Sequence, residues 1–388
     1  MLTGTTSHEE ASKACSDIHE KLLDLKDTSQ SFNLTAILGH LVYNSPVNTA
    51  QQYWVSSAPG YCQATNAYGK ISDVNCLEQL PALCSQSAPF SNASYADTAS
   101  EWQVTVQAGE RLLTGYVELF CSSRTPYIRI AVTELLSRYR DRASFRFLGV
   151  RYADQPERFT YSEVFAGSGT QAALAYGSQC IQLPGEGDED CLFLNIFTSY
   201  LPSTGCSDEL RPIMFYIHGG AFVSGTGANP DYDGGNLASR GDVVVVTINY
   251  RLGVFGFLAL DSSTRGNYGM ADQVVALDWI RANIASFGGD PNRITVFGQS
   301  AGANSVISLL GSPQAFGKFA AAMPMSHIAG LGILGDFYTV YSSIADAAAS
   351  AVSSVLEPTN CTSATSQVDC LRDFDAQDLL LLTSSMTP

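Results

Sequence analysis

Apolar runs of strand length alternate with helical patterns through the second half of the chain. Ile213–Ile217, Val243–Ile248 and Ile294–Phe297 are short β-branched runs, and Asp272–Ser286 and Ala303–Leu310 repeat their apolar positions at helical spacing. Strands separated by helices imply βαβ units and a largely parallel sheet. Upstream, Trp102–Gln107 alternates apolar and polar residues in the manner of a half-buried strand. Closer to the start, a helical pattern covers Glu10–Leu25, followed by the short runs Gln52–Val55 and Leu80–Cys84 in a loop-rich stretch. The change of texture divides the chain into a cysteine-rich N-terminal module, residues 1–95, and a larger α/β unit, residues 96–388. No internal repeat is apparent.

One stretch breaks the pattern. Residues 117–138 carry Cys121, an SSR run and an RIAV run, with no place in the alternation around them. Removing them joins Leu113-Thr-Gly-Tyr116 to Tyr139-Arg-Asp-Arg-Ala-Ser-Phe145. The segment opens on valine, whose GTN codon is compatible with a splice donor. We read it as a retained intron translated in frame, with a surface insertion as the alternative.

The chain has 388 residues, with 21 Lys+Arg against 37 Asp+Glu and a formal net charge of −16. That acidic balance argues against a nucleic-acid partner, which needs clustered Lys and Arg. No run of about 18 apolar residues exists to cross a bilayer. Ten cysteines and three sequons, at Asn33, Asn92 and Asn360, favour an oxidising, secretory compartment. MLTGTTSHEE lacks the basic and apolar regions of a signal peptide, so the expectation is a secreted protein whose natural start lies upstream. No histidine pair has metal-ligand spacing, and neither metal nor cofactor is expected. The sequence does not set an oligomeric state.

The chemistry concentrates in two segments. In Ile294-Thr-Val-Phe-Gly-Gln-Ser-Ala-Gly-Ala303, a β-branched run enters Gly298-Gln-Ser300-Ala-Gly302 and a helical pattern follows. This is the G-x-S-x-G elbow in its strand–turn–helix setting, which presents Ser300 as a nucleophile at the positive end of a helix. A glycine-rich turn without chemistry is the bland alternative. In Met214-Phe-Tyr-Ile-His-Gly-Gly-Ala-Phe222 a strand ends in a sequence close to the HGGG motif. There the amides of Gly219, Gly220 and Ala221, with Ala301, would form an oxyanion hole. His218 belongs to the loop rather than to a catalytic triad.

Those motifs, together with Glu189-Asp-Cys-Leu-Phe-Leu-Asn195 and Phe287-Gly-Gly-Asp-Pro291, resemble the type-B carboxylesterase family, which includes cholinesterases and fungal lipases. The resemblance covers residues 102–388 apart from 117–138. It implies an α/β-hydrolase fold and attack on a small-molecule or lipid carboxylic ester through an acyl-enzyme. It also implies disulfides Cys180–Cys191 and Cys361–Cys370, and buried ion pairs Arg158–Glu189 and Arg251–Asp272. Cys121 and Cys206 are left without obvious partners. Residues 1–95 resemble a C-type lectin-like module, which would pair Cys15 with Cys84 and Cys62 with Cys76. Four cysteines allow three connectivities, and the acidic and amide motifs that bind calcium and sugar in that family are not visible near Tyr53–Cys76. A disulfide-stapled cap without ligand is the plainer reading.

The chain departs from the family pattern in its triad. Serine needs a histidine to take its proton and an acid to orient that histidine. The family's acid and histidine would lie further past Ser300 than the sequence extends. His327 does not match the family's histidine loop, and Asp369, Asp373, Asp375 and Asp378 fall too early for the acid. The expectation is therefore the N-terminal part of a hydrolase, cut short at its C-terminal side. A catalytically inactive hydrolase-fold binding or adhesion protein is the alternative.

Overall fold

The computed structural model describes residues 6–16, 20–25, 51–66, 68–85, 90–91, 98–99, 103–120, 143–202, 210–327 and 343–384. Asn33, Asn92, Trp102, Cys121 and Cys206, and with them residues 121–138 of the anomalous stretch, lie outside the described residues.

In the N-terminal module, α1 (His8–Ser16) precedes three antiparallel strands, β1 (Gln52–Val55), β2 (Gln63–Asn66) and β3 (Ile71–Asp73). The helical pattern expected to reach Leu25 stops at Ser16. Leu22 instead forms an antiparallel bridge with Cys84, Leu23 N–H donates to Leu83 O at 2.7 Å, and Ser56 N–H donates to Leu23 O at 2.9 Å. Pairing with the extended residues 82–84 buries Leu22 and Leu23 and satisfies backbone groups of both, so tertiary contacts override helical spacing. The buried Ala11, Cys15, Trp54, Ala64, Ala82 and Cys84 make a small core. It is stapled by Cys15–Cys84 and Cys62–Cys76.

The larger unit is built on β5 (Gln103–Ala108), β6 (Arg111–Phe120), β7 (Ala143–Arg151), β8 (Gly169–Ala172), β9 (Phe193–Thr198), β10 (Arg211–Ile217), β11 (Val244–Ile248), β12 (Gly289–Gln299) and β13 (Ala321–Met325), and its sheet also takes in β4 (Phe90–Ser91) from within the first 95 residues. The sheet order is β13-β12-β10-β11-β9-β7-β6-β4, with β5 and β8 also paired to β6. From β10 onward the pairs β10/β11, β10/β12 and β12/β13 are parallel. Among the earlier strands β11/β9, β9/β7, β7/β6 and β5/β6 are antiparallel, and β4/β6 and β6/β8 are parallel. The sheet is therefore mixed: helices intervene between the parallel strands from β10 onward, whereas the short β4 and β8 join β6 in parallel with no described helix between. β6 continues four residues into the anomalous stretch, pairing Val117 with Phe145 and Leu119 with Ala143.

The helices after α1 are α2 (Gly235–Gly241), α3 (Gly253–Phe257), α4 (Tyr268–Asn283), α5 (Ala301–Gly311), α6 (Ile344–Ala351), α7 (Gln367–Arg372) and α8 (Ala376–Leu382). All five residues of β11 are buried, and their alternation shows why its run is uniformly apolar. Val244, Val246 and Ile248 belong to the same buried core as Ala276, Trp279 and Ile280 of α4, whereas Val245 shares a separate core with Ala238 of α2. With helices on both faces, no position on the strand faces water. A second cluster seats α6–α8 against Phe159, Ile181, Val254 and Phe255. There Arg158 pairs with Glu189 at 2.6 Å and donates to Phe374 O at 2.6 Å, tying the C-terminal helices to the central unit.

Candidate active site

β12 enters α5 through Ser300, whose backbone lies at φ 58° and ψ −120°. That conformation costs a non-glycine residue on the order of 1–3 kcal/mol, and the neighbours show what enforces it. A Cβ on Gly298 would meet Gly302 C and O at 2.6 Å, and one on Gly302 would collide with Ile217 O. Helix and strand thus approach too closely for any side chain at either glycine. Ser300 N–H donates to Met325 O at 3.1 Å, tying the turn to the end of β13, and Ser300 O accepts from Asn304 N–H at 3.0 Å. The side chain is half-buried at the first turn of α5, where the helix dipole favours negative charge.

The end of β10 lies beside this turn. A Cβ on Gly219 would come within 3.2 Å of Ser300 Cβ and 2.6 Å of Gln299 O, so the 218–222 loop passes directly against the serine. Gly220 (φ 107°), Ala221 (φ 55°) and Phe222 (φ 62°) all have positive φ. Gly220 O accepts from Val223 and Ser224 N–H, both at 3.0 Å, closing the turn. The N–H groups of Gly219, Gly220, Ala221 and Ala301 donate to no acceptor among the described residues. Unpaired backbone donors in a loop beside a serine and at the start of its helix can stabilise a developing oxyanion.

His218 braces this loop from behind. It is buried, its ring stacks on Tyr250 at 4.4 Å, and Nδ1–H donates to Gly219 O at 2.8 Å. Burial lowers its pKa to about 4, so the imidazole is neutral. Tyr250 Oη–H donates to His218 O at 2.9 Å, and burial pushes that phenol far above its ordinary range. Gly225 has no room for a side chain, because a Cβ there would collide with His218 Nδ1.

Three side chains that sequence reasoning passed over hold the same loop in place. Gln182 accepts from Gly225 N–H at 2.7 Å and donates to Gly225 O at 3.0 Å. Asn249 Oδ1 accepts from Thr226 Oγ1–H and Gly227 N–H, each at 2.9 Å, and its Nδ2 donates to Ser178 O at 2.8 Å. Asn195 Nδ2 donates to Gly227 O at 3.2 Å. Buried amides facing loop backbone were the available signal, but nothing in the sequence assigns their partners. Gln182 sits inside the loop closed by Cys180–Cys191, which links that disulfide to the loop after β10.

Below the site, Arg251 pairs with the fully buried Asp272 at 2.8 Å. Asp272 also accepts from Ser162 Oγ–H at 2.6 Å and Arg251 N–H at 3.1 Å. Burial works against the Arg251 charge, but the attraction of Asp272 outweighs it and raises the pKa. Both Arg158–Glu189 and Arg251–Asp272 are thus formed, and Cys180–Cys191 and Cys361–Cys370 are bonded.

His327 lies two residues beyond Met325, half-buried, and makes no hydrogen bond to Ser300 among the described residues. The later carboxylates serve helix ends: Asp375 accepts from Gln377 N–H at 2.8 Å to cap α8, and Asp369 pairs with Arg372 at 3.2 Å. Among the described residues no group of three or more His, Cys, Asp or Glu side chains is placed to hold a metal ion, and no helix is long and apolar enough to cross a membrane.

A sheet whose parallel half ends in a strained serine turn, flanked by a Gly-Gly loop and backed by helices on both faces, defines an α/β-hydrolase. The sequence profile of the carboxylesterase family matches residues 134–387, and the chain belongs to that family. It is 48% identical to the para-nitrobenzyl esterase of Bacillus subtilis over 165 residues, 39% of this chain and 32% of that protein. Against acetylcholinesterase-1 of Trittame loki it is 42% identical over 205 residues, 48% of this chain and 36% of the other. A crystal structure of the Geobacillus stearothermophilus carboxylesterase aligns with a TM-score of 0.57 and 34% identity, covering 73% of this chain and 53% of that one. The chain thus spans about a third of the length of these curated relatives and about half of the solved esterase.

Proposed function

We propose that the chain carries the nucleophile and oxyanion side of a secreted carboxylic ester hydrolase. The single observation behind this reading is Ser300, held at φ 58° and ψ −120° at a helix start with Gly219 packed against it. Ser300 Oγ would attack the carbonyl carbon of a small-molecule or lipid carboxylic ester. The carbonyl oxygen gains negative charge and takes up the unpaired N–H donors of Gly219, Gly220, Ala221 and Ala301. One such donor is worth about 3–4 kcal/mol in a transition state. Collapse breaks the bond to the alcohol, which leaves with a proton, and water then releases the acid from the acyl-serine. Esterase names among the relatives support the reaction class.

We place this chemistry in residues 96–388, with residues 117–138 as an in-frame intron or insertion and residues 1–95 as a disulfide-bonded extension. Four disulfides and the esterase relatives support an extracellular setting.

A fluorophosphonate probe tests the assignment, since it modifies only an activated serine. The chain joined to a family segment that supplies the triad acid and histidine is expected to label at Ser300 by peptide mapping, and Ser300→Ala in that fusion is expected to lose the label. An unlabelled but cooperatively folded fusion, or equal labelling of the variant, would overturn it.

A further inference from the structure

We infer that Asn360 is an N-glycan acceptor that must be modified before the Cys361–Cys370 disulfide closes, so that oxidation of that pair sets how much of the protein carries this glycan. The inference rests on the secretory setting proposed above and goes beyond the ester chemistry.

Asn360-Cys361-Thr362 is a sequon in which the central residue is a disulfide cysteine. Its place in the fold is the end of the short π-helix Val352–Leu356 that continues α6. Cys361 N–H donates to Leu356 O at 2.9 Å and Asn360 N–H to Glu357 O at 3.1 Å, while Asn360 takes φ 57°. That pair of bonds around a left-handed residue is a Schellman cap, a position that asparagine tolerates better than most side chains. The cap leaves the Asn360 side chain exposed, with no hydrogen-bond partner among the described residues, and Thr362 is exposed beside it. A glycan on Asn360 therefore projects into water without disturbing a contact.

Attachment is another matter. In transfer, Asn360 Nδ2 attacks the anomeric carbon of a lipid-diphosphate oligosaccharide. The carbon–oxygen bond to the diphosphate breaks, the lipid diphosphate leaves, and the amide nitrogen gives up one proton. The transferring enzyme grips an acceptor as an extended segment, reading the threonine hydroxyl two residues beyond the asparagine. In the folded chain this segment is curled. Asn360 is left-handed, and Cys361 is completely buried and bonded to Cys370 only nine positions on. Extending it means opening both the cap and the disulfide. Closing the disulfide passes two electrons and two protons from the thiols to the disulfide of a thiol oxidant. Transfer and oxidation thus compete for the same unfolded segment.

The test directs the chain into a eukaryotic secretory pathway behind a cleavable leader and reads occupancy at Asn360 in total cell and medium protein. Peptide N-glycosidase in heavy-oxygen water converts an occupied Asn360 to a mass-tagged aspartate. Partial occupancy is expected for the natural chain. Cys370→Ser leaves the sequon intact, and it should raise the ratio of occupied to unoccupied chains at least twofold; Thr362→Ala should abolish the tag. Because transfer precedes folding, the readout holds even if Cys370→Ser folds poorly. Equal occupancy with and without Cys370 overturns the competition. A chain with Cys15–Cys84 formed but no tag at Asn360 in any variant overturns the acceptor itself, and leaves the secretory reading standing.

Discussion

The N-terminal module and the β10–β12 region reach order by different physical means. Among the described residues the module buries seven in its core cluster, and it depends on two cross-links, one closing a span of 69 residues and one of 14. The β10–β12 region contains no disulfide. Its strands are sealed by helices on both faces, with Phe215, Val246 and Val296 fully buried, and charge enters its interior only as a bonded pair. A small core gains little from burial and benefits most from constraints on the unfolded chain. A large one gains from packing, and it can also hold the strain that the Ser300 turn stores.

Four changes would break or sharpen that contrast. Asp272→Ala should have the largest effect, up to about 5 kcal/mol, because it strands the Arg251 guanidinium in the interior. Its check is chemical denaturation, together with loss of amide protection over β10–β12. Replacing Cys15 and Cys84 with serine should cost about 4 kcal/mol by loop-closure entropy. Hydrogen exchange should show that loss confined to residues 51–85, with β10–β12 still protected; equal loss in both regions would dissolve the distinction between them.

Acid should act on the loop after β10 with a smaller effect. His218 titrates near 6.5 when unfolded and about 4 when folded, so the unfolded chain binds more protons between those values. Stability is complete above about pH 6.5 and falls as pH drops toward 4, by about 3 kcal/mol in all. Urea midpoints between pH 4 and 7 would show this slope, and His218→Gln should flatten it. Arg293→Ala should do least, below about 1 kcal/mol, since the Arg293–Asp290 pair is partly solvated. A larger cost in thermal unfolding would mean that charge matters as much at the rim as in the interior.

Much of the hydrolase part was legible because its signals are local. The Gly298-Gln-Ser300-Ala-Gly302 turn contains its own explanation: two glycines where strand and helix meet too closely for side chains, with a serine at the bend. The pairs Arg251–Asp272 and Arg158–Glu189 came by resemblance, and spacing alone did not indicate them. Gln182 and Asn249 escaped notice because an amide side chain looks the same in the sequence whether it meets water or a loop 43 residues away. The helix expected through Leu25 failed for a related reason: Leu22 and Leu23 satisfy helical spacing and strand pairing alike, and Leu83 and Cys84 supply partners that only the folded chain brings near.

Taken by itself, the sequence determined where strands and helices alternate, which serine sits at a strained bend, and that Gly-Gly backbone follows β10. These are properties of a few consecutive residues, set by steric exclusion and by periods of 2 and 3.6. The tertiary structure alone decided the order of strands in the mixed sheet, the approach of Gly219 to Ser300, and the neutral His218 behind the loop. It also decided which amides hold residues 225–227. Each of these depends on distant segments excluding water from one another, and only then does an unpaired donor or a buried imidazole acquire its energy.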